Sequence, residues 1–388
     1  MNGKLEIACP SSPWVSYYVP SRAYNGYTLY TPGGGSVAWL IDMQGHPVHC
    51  WDLPYGAAGA GELLPNGNLL QDCRDFSGMK TKPGSTEWVL LELDWDGNIV
   101  WKYTLPYSRH QFDRMDNGNT MVSRQVDVPA DIAARVKGGL PGTEGQKMVT
   151  EAFQEVTPDG NVVWEWLAYE HLDTEIDIMC PICTRHNWTH INSCFILPDG
   201  DVMTTLHHLD TVAIIDKKSG DVKWRWGKGI VAHPHNPTLL DNGNILLWDN
   251  GQHRQAVVTN FSRILEVNPD TGGIVWEYKD NPPHRFYSSV SSGAQRLPNG
   301  NTFICELSRG RFFEVTRDKE KVWEFYNPFY FKDDRPTGLG LSNRVSRAYR
   351  YGPDYPGLKG RELNPDCVEL TLRERPQGIE RAALPPRG

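Results

Sequence analysis

Three stretches of this chain carry histidine at matching places. His110, His235 and Asn192 each stand seven residues ahead of an Asn-Gly or Asp-Gly dipeptide, with His190 two residues before Asn192. If each dipeptide turns a hairpin, a residue about six or seven positions after it lies beside them. Those places hold Arg124, His207, and Asp249 with Asn250. The same offsets pick out Ser291 and Ser292 with Glu306, Gly59 with Arg74, and a position near Tyr18. Imidazole titrates at about 6.5, so it serves as nucleophile, general base or general acid near neutrality, and when neutral it binds metals. A guanidinium such as Arg124 or Arg74 pairs bidentately with sulfate, phosphate or carboxylate. One histidine on an inner strand is commonly a packed residue bonded to a neighbouring backbone group. Three at the start of successive inner strands, in a chain with 12 histidines, point to a site.

The elements that must position them form a repeat. An apolar alternating strand, a turn with Asp or Gly and a closing tryptophan recur at Trp51, Trp101, Trp164, Trp224, Trp276 and Trp323, spaced by 47 to 63 residues. Ahead of these lie LLPNGNLL (63–70), RMDNGNTM (114–121), ILPDGDVM (196–203), LLDNGNIL (239–246) and RLPNGNTF (296–303), with YNGYTLY (24–30) as a degenerate first copy. Each unit therefore holds four strands, two around each turn. Six such units predict an all-β chain, a single six-bladed β-propeller of four-stranded antiparallel blades spanning residues 1–388. Its innermost strands line the axis, so the histidines ring one mouth of the channel. Residues 126–148 and 168–189 read as loop insertions, and 327–388 as a C-terminal extension with one strand at Val368–Leu372.

Composition narrows the partners. With 39 basic and 47 acidic residues the net charge is −8, which argues against nucleic acid or an anionic membrane surface. The N-terminus lacks the apolar stretch of a secretory signal, and no apolar run approaches the roughly 18 residues of a membrane helix. The expectation is a cytoplasmic protein acting on a small anionic or aromatic molecule. Eight cysteines at irregular spacing do not form a disulfide framework. Cys180 and Cys183, with His186 and with His171 nearby, read as half a structural zinc site or a loop-bracing disulfide.

NWTHINSCFILPDGDVMTTLHHLDTVAIIDKKSGDVKWRWG, then HPHNPTLLDNGNILLWDNG, GAQRLPNGNTF and RFFEVTRDKEKVWEFYNP, resemble the aryl-sulfate sulfotransferase family over roughly residues 40–350. The resemblance implies a six-bladed propeller that passes a sulfuryl group between phenols through a transiently sulfated histidine, without a nucleotide donor. It places the His-x-Asn element on His190 and Asn192, the nucleophile on His235 with His233 as runner-up, and an earlier axial histidine on His110. The family's sulfate-gripping arginine falls on His207 or His208, within MTTLHHLD, leaving Arg124 or Arg74 to supply charge. On this reading His110 or His207 moves the phenol proton, and Asn250 and Tyr18 line the substrate site. The alternative is a lyase or hydrolase, metal-dependent through His110, His190, His233 and His235, with Glu306 as base. A non-catalytic propeller scaffold is the third reading. No cofactor is implied beyond a possible divalent metal.

Overall fold

Each repeat folds as a four-stranded antiparallel sheet, and six such sheets make the chain a six-bladed β-propeller. The computed structural model describes residues 6–7, 14–75, 87–106, 108–255, 259–333 and 340–364. Among the described residues helix is confined to short pieces such as Ala130–Arg135 and Ala168–His171. Among the described residues no helix is long and apolar enough to cross a membrane.

The hairpins form for a local reason. In LLPNGNLL the Gly67 N–H returns to the Leu64 carbonyl, and the Leu64 N–H reaches the Asn68 carbonyl. That closure needs a left-handed residue, supplied by Gly67 at φ +88° and by Gly118, Gly200, Gly243 and Gly300 at the equivalent turns. The asparagine after the glycine then clamps a glutamate on the third strand. Asn68 donates to Glu92 at 2.7 Å, Asn119 to Glu155 at 2.5 Å, Asn244 to Glu266 at 2.8 Å and Asn301 to Glu314 at 2.6 Å. The repeated Asn-Gly-Asn is therefore both turn and brace.

The closing tryptophans lie on outer strands and reach the next sheet. Trp51 Nε1 donates to the Asp94 carbonyl at 2.9 Å, Trp164 to Lys217 at 3.0 Å, Trp224 to Pro269 at 3.1 Å and Trp323 to Met43 at 2.9 Å. Each carbonyl belongs to the turn joining the third and fourth strands of the neighbouring sheet. A buried indole thus finds its one required acceptor while its ring packs between sheets.

The chain divides into two compact units, residues 1–104 with 292–388, and residues 105–291. The first unit holds the first, second and sixth sheets. Its first sheet departs from the expected order. The strand beside Tyr27–Pro32 is Val345–Tyr351, from the segment expected to be an extension. The degenerate N-terminal copy thus supplies three strands and the C-terminal segment the fourth. Tyr18 moves accordingly. Val15–Tyr18 pairs with Lys321–Tyr326 as a fifth, outermost strand of the sixth sheet, so Tyr18 is not on an inner strand. Phe329–Asp333 joins a small sheet with Gly340–Ser342 and Glu6–Ile7. The strand expected at Val368–Leu372 lies outside the described residues.

His49 illustrates the packing between the first two sheets. Its ring stacks on Trp95 at 3.9 Å, and Nε2 donates to the Trp95 carbonyl at 3.0 Å. Burial lowers its pKa from 6.5 to about 4. A lowered folded-state pKa gives stability that is present above 6.5 and lost as pH falls through 4. Across that window the loss is at most about 3.4 kcal/mol. Urea midpoints of the wild type should therefore fall between pH 6.5 and 4 more steeply than those of His49→Gln; parallel slopes would refute the assignment.

Candidate active site

The second unit, residues 105–291, carries the third sheet (Ser108–Arg114, Thr120–Asp127, Val149–Val156, Val162–Leu167), the fourth (Phe195–Ile196, Val202–Leu206, Thr211–Ile215, Val222–Trp226) and the fifth (Pro234–Leu239, Ile245–Asp249, Arg263–Val267, Ile274–Tyr278). The first strand of the fourth sheet has only two residues. Ahead of it the chain runs irregularly through 187–194 and meets the second strand by a single bridge between Ile191 and Leu206. That stretch is organised by the buried carboxylate of Glu151, which accepts from Asn187 Nδ2 at 2.7 Å, Thr189 Oγ1 at 2.6 Å and the Ile191 N–H at 2.9 Å. Asn187 Oδ1 in turn accepts the His190 N–H at 2.7 Å, with His190 in a left-handed conformation at φ +48°.

Across from this loop the second strand stops at Leu206 and the chain enters a 3-10 turn, His207–Leu209, closed by left-handed Asp210. The turn sets His207 and His208 side by side. Five imidazoles then meet. His207 lies 4.7 Å from His190, 4.4 Å from His233, 4.9 Å from His235 and 5.4 Å from His208, centroid to centroid. Ligand nitrogens of His190, His207 and His208 all fall within 4.8 Å of one another. His207, His233 and His235 are buried, while His190 and His208 are half-buried and form the side of the cluster nearest solvent.

The rings differ in how their nitrogens are used. Asn250 Nδ2 donates to the Ser288 and Ser291 carbonyls, which leaves its oxygen to accept from His235 Nδ1 at 2.6 Å. His235 Nε2 accepts the Ser291 N–H at 3.1 Å. His235 is therefore a neutral imidazole with both nitrogens engaged. His208 Nδ1 donates to the Asn187 carbonyl at 2.8 Å. His207 has neither nitrogen hydrogen-bonded although it is 4% exposed. Burial, followed by the neighbouring His190, His235, His233 and His208, holds its pKa well below 6.5. That environment favours the neutral ring, and a neutral ring with both nitrogens unbonded has a lone pair to give.

A second group adjoins the first. Cys183 Sγ is 3.1 Å from His233 Nε2 and 3.6 Å from His253 Nδ1, and Cys180 Sγ is 3.5 Å from His253 Nδ1. Cys183 foremost, with His233 and His253, lowers the pKa of the Cys180 thiol, and Cys180 raises that of Cys183. Burial disfavours charge on His233, but Asp210 and Cys180 outweigh it and raise its pKa to about 9. The insertions support this region. The buried Arg185 donates to the Gly138, Ala133 and Val136 carbonyls, and the Cys180 N–H donates to the His208 carbonyl at 2.7 Å.

The sequence-derived residues are thus only partly gathered. His190, His207, His233 and His235 converge, with Asn250 behind His235 and Asn192 donating to the Pro234 carbonyl at 3.1 Å. His110 lies on Ser108–Arg114, but its side chain is outside the described residues. Arg124 does not face an open site: its guanidinium is paired with Glu165 at 2.6 Å on the outer strand of its own sheet. Arg74 and Glu306 belong to the other unit, where Arg74 lies over Trp88 at 3.8 Å and Glu306 is paired with Arg311 at 3.1 Å. His186 is exposed and bonded to the Lys147 carbonyl, so the histidines beside Cys180 and Cys183 are His233 and His253 instead. His253, Asp210 and Glu151 escaped the sequence reading because none sits at a hairpin offset. Arg124→Ala is expected to change stability by less than about 1 kcal/mol, as for other solvent-accessible pairs, and to leave turnover within twofold. A hundredfold loss of turnover would return Arg124 to the site.

The sequence profile of the arylsulfotransferase (ASST) family matches residues 62–328. The chain belongs to the arylsulfotransferase family. The match takes in all five imidazoles, both cysteines and His253, and membership suggests an enzyme. No curated protein matches the chain. Among solved structures, a protein of unknown function from Bacteroides caccae superposes with a TM-score of 0.53 at 13% identity, covering 84% of this chain and 98% of its own. A streptogramin B lyase gives 0.47 at 13% identity, covering 90% and 99%. Virginiamycin B lyase from Staphylococcus aureus gives 0.45 at 12% identity, covering 88% and 97%. The first of these likenesses is one of fold alone.

Proposed function

We propose that this arylsulfotransferase-family chain transfers a sulfuryl group between phenolic oxygens, with His207 rather than His235 as the nucleophile. The observation that carries this reading is the pair of unbonded nitrogens on His207 inside a cluster of four other imidazoles. A nucleophile needs an available lone pair, and His235 spends its own on a backbone N–H. A His207 nitrogen attacks the sulfur of an aryl sulfate ester. The sulfur–oxygen bond breaks, and the phenolate leaves with a proton from a neighbouring imidazolium. The acceptor phenol then loses its proton to that imidazole, and its oxygen takes the sulfuryl group back from nitrogen. His190 and His208, half-buried beside His207, would donate N–H groups to the sulfuryl oxygens where the family carries arginine, His208 through the Nε2 proton of its imidazolium because its Nδ1–H is given to the Asn187 carbonyl. The substrate is accordingly a small anionic aromatic ester.

The test is incubation with a chromogenic phenyl sulfate, with and without a phenol acceptor, followed by peptide mass spectrometry. One added sulfuryl group on the peptide holding His207 is expected from donor alone. A second reading has its own observation: the nitrogens of His190, His207 and His208 lie close enough to share one metal ion with an open position, as hydrolytic sites do. No labelled peptide, with a metal that is lost on His208→Ala and ester cleavage that needs no acceptor, would favour that reading.

A further inference from the structure

We propose that Cys180, Cys183, His233 and His253 together bind a structural zinc ion beside the imidazole cluster. The four donor atoms lie within 4.8 Å of one another. The sulfur-to-nitrogen separations of 3.1, 3.5 and 3.6 Å can be compared with a tetrahedron. With bond lengths of about 2.3 Å to sulfur and about 2.05 Å to nitrogen, its sulfur–nitrogen edge is roughly 3.6 Å. The chain already holds this spacing, so a zinc ion needs little rearrangement of its ligands.

Three further features fit the same assignment. First, the ligands come from separate places: a tight turn in the 168–189 insertion, the residue entering the fifth sheet, and the segment leaving that sheet's second strand. A Cys-x-x-Cys turn plus two distant histidines is a familiar closed zinc set, with no position left for substrate. Second, His233 and His253 both adopt left-handed backbone at φ +59°, a costly choice for a residue with a side chain unless the surroundings require that direction. Third, the nitrogen of His233 facing away from the sulfurs, Nδ1, lies 3.3 Å from Asp210 Oδ1. That is ion-pair range, and zinc-bound histidines commonly offer their second nitrogen to a carboxylate. The ion would pin the insertion to the fifth sheet and hold the His233 ring against His207. Binding zinc releases to solvent the protons still held by the two thiols and by the zinc-facing ring nitrogens, the Nε2 proton of His233 included, and involves no oxidant or reductant. The inference does not depend on which reaction the imidazole cluster performs.

The experiment is metal analysis of the full-length protein, then cobalt(II) replacement. The expected result is one zinc per chain retained through dialysis and, after replacement, a thiolate-to-cobalt charge-transfer band. Zinc and band should both be lost in Cys183→Ser and in His253→Ala. Both should persist in His207→Ala and His186→Ala, which separates this site from any metal on the imidazole cluster. Asp210→Asn should weaken zinc affinity about 10- to 100-fold. If the cysteine or His253 variants do not fold, cobalt titration of the wild type decides. Wild type without zinc and without a charge-transfer band, a Cys180–Cys183 disulfide, or a band unchanged in His253→Ala would each overturn the proposal.

Discussion

His207→Ala is expected to lower phenyl-sulfate turnover by a factor on the order of 10⁴ to 10⁶, the scale seen when a covalent nucleophile is removed. The wild-type sulfuryl label should vanish with it. His235→Ala should act differently. His235 forms one wall of the cluster and is locked between Asn250 and the Ser291 N–H. Removing it lets neighbouring rings shift, and misplacement by about an ångström costs on the order of 100-fold. Its label should still form on His207, more slowly. The contrast rests on nitrogen use, since the two rings lie 4.9 Å apart and are both buried. Label on His235, or His207→Ala within tenfold of wild type, would reverse the assignment.

That the position of His207 was legible and its unbonded nitrogens were not follows from what a hairpin offset encodes. Counting from a turn fixes how far along a strand a residue lies, and therefore which end of the sheet it reaches. Counting thus brought His190, His207 and His235 together correctly. It says nothing of what stands beside a residue on the third and fourth strands or in the neighbouring loop. Arg124 looked available because its partner, Glu165, sits two strands away on the same sheet. The resemblance put the nucleophile on His235, and the Ser291 N–H that bonds its Nε2 comes from 56 residues downstream, beyond the reach of a hairpin offset. Tyr18 failed for another reason: the inner strand of the first sheet, Val345–Tyr351, carries no Asn-Gly turn and comes from the far end of the described chain. The Cys180 and Cys183 turn was visible as half a set. Its other half, His233 and His253, is assembled only by the folding of the insertion against the fifth sheet.

Glu151→Ala is the substitution expected to cost most in stability. The residue is fully buried near the start of Val149–Val156, upstream of the recurring segment that ends at Trp164. It sits opposite no turn, yet its two oxygens satisfy Asn187, Thr189 and the Ile191 backbone in the stretch that delivers His190. Alanine takes this acceptor from the Asn187 amide and the Ile191 N–H inside the fold, while Thr189 Oγ1 keeps only its contact with Thr150 Oγ1 at 2.7 Å. Loss of one member of a buried, hydrogen-bonded charged network costs about 3–5 kcal/mol. Glutamine should be intermediate: it keeps one acceptor oxygen but turns its amide N–H groups toward donors on the other side. The order expected in urea unfolding is therefore wild type, then Glu151→Gln, then Glu151→Ala. The same order is expected for the rate of sulfuryl labelling at His207 under conditions where each variant remains folded, because the left-handed His190 is held through Asn187, and Asn187 through Glu151. Equal stability of Glu151→Ala and wild type would mean that the loop is held by other contacts. Lower stability with an unchanged labelling rate would confine Glu151 to folding and remove it from the support of the site.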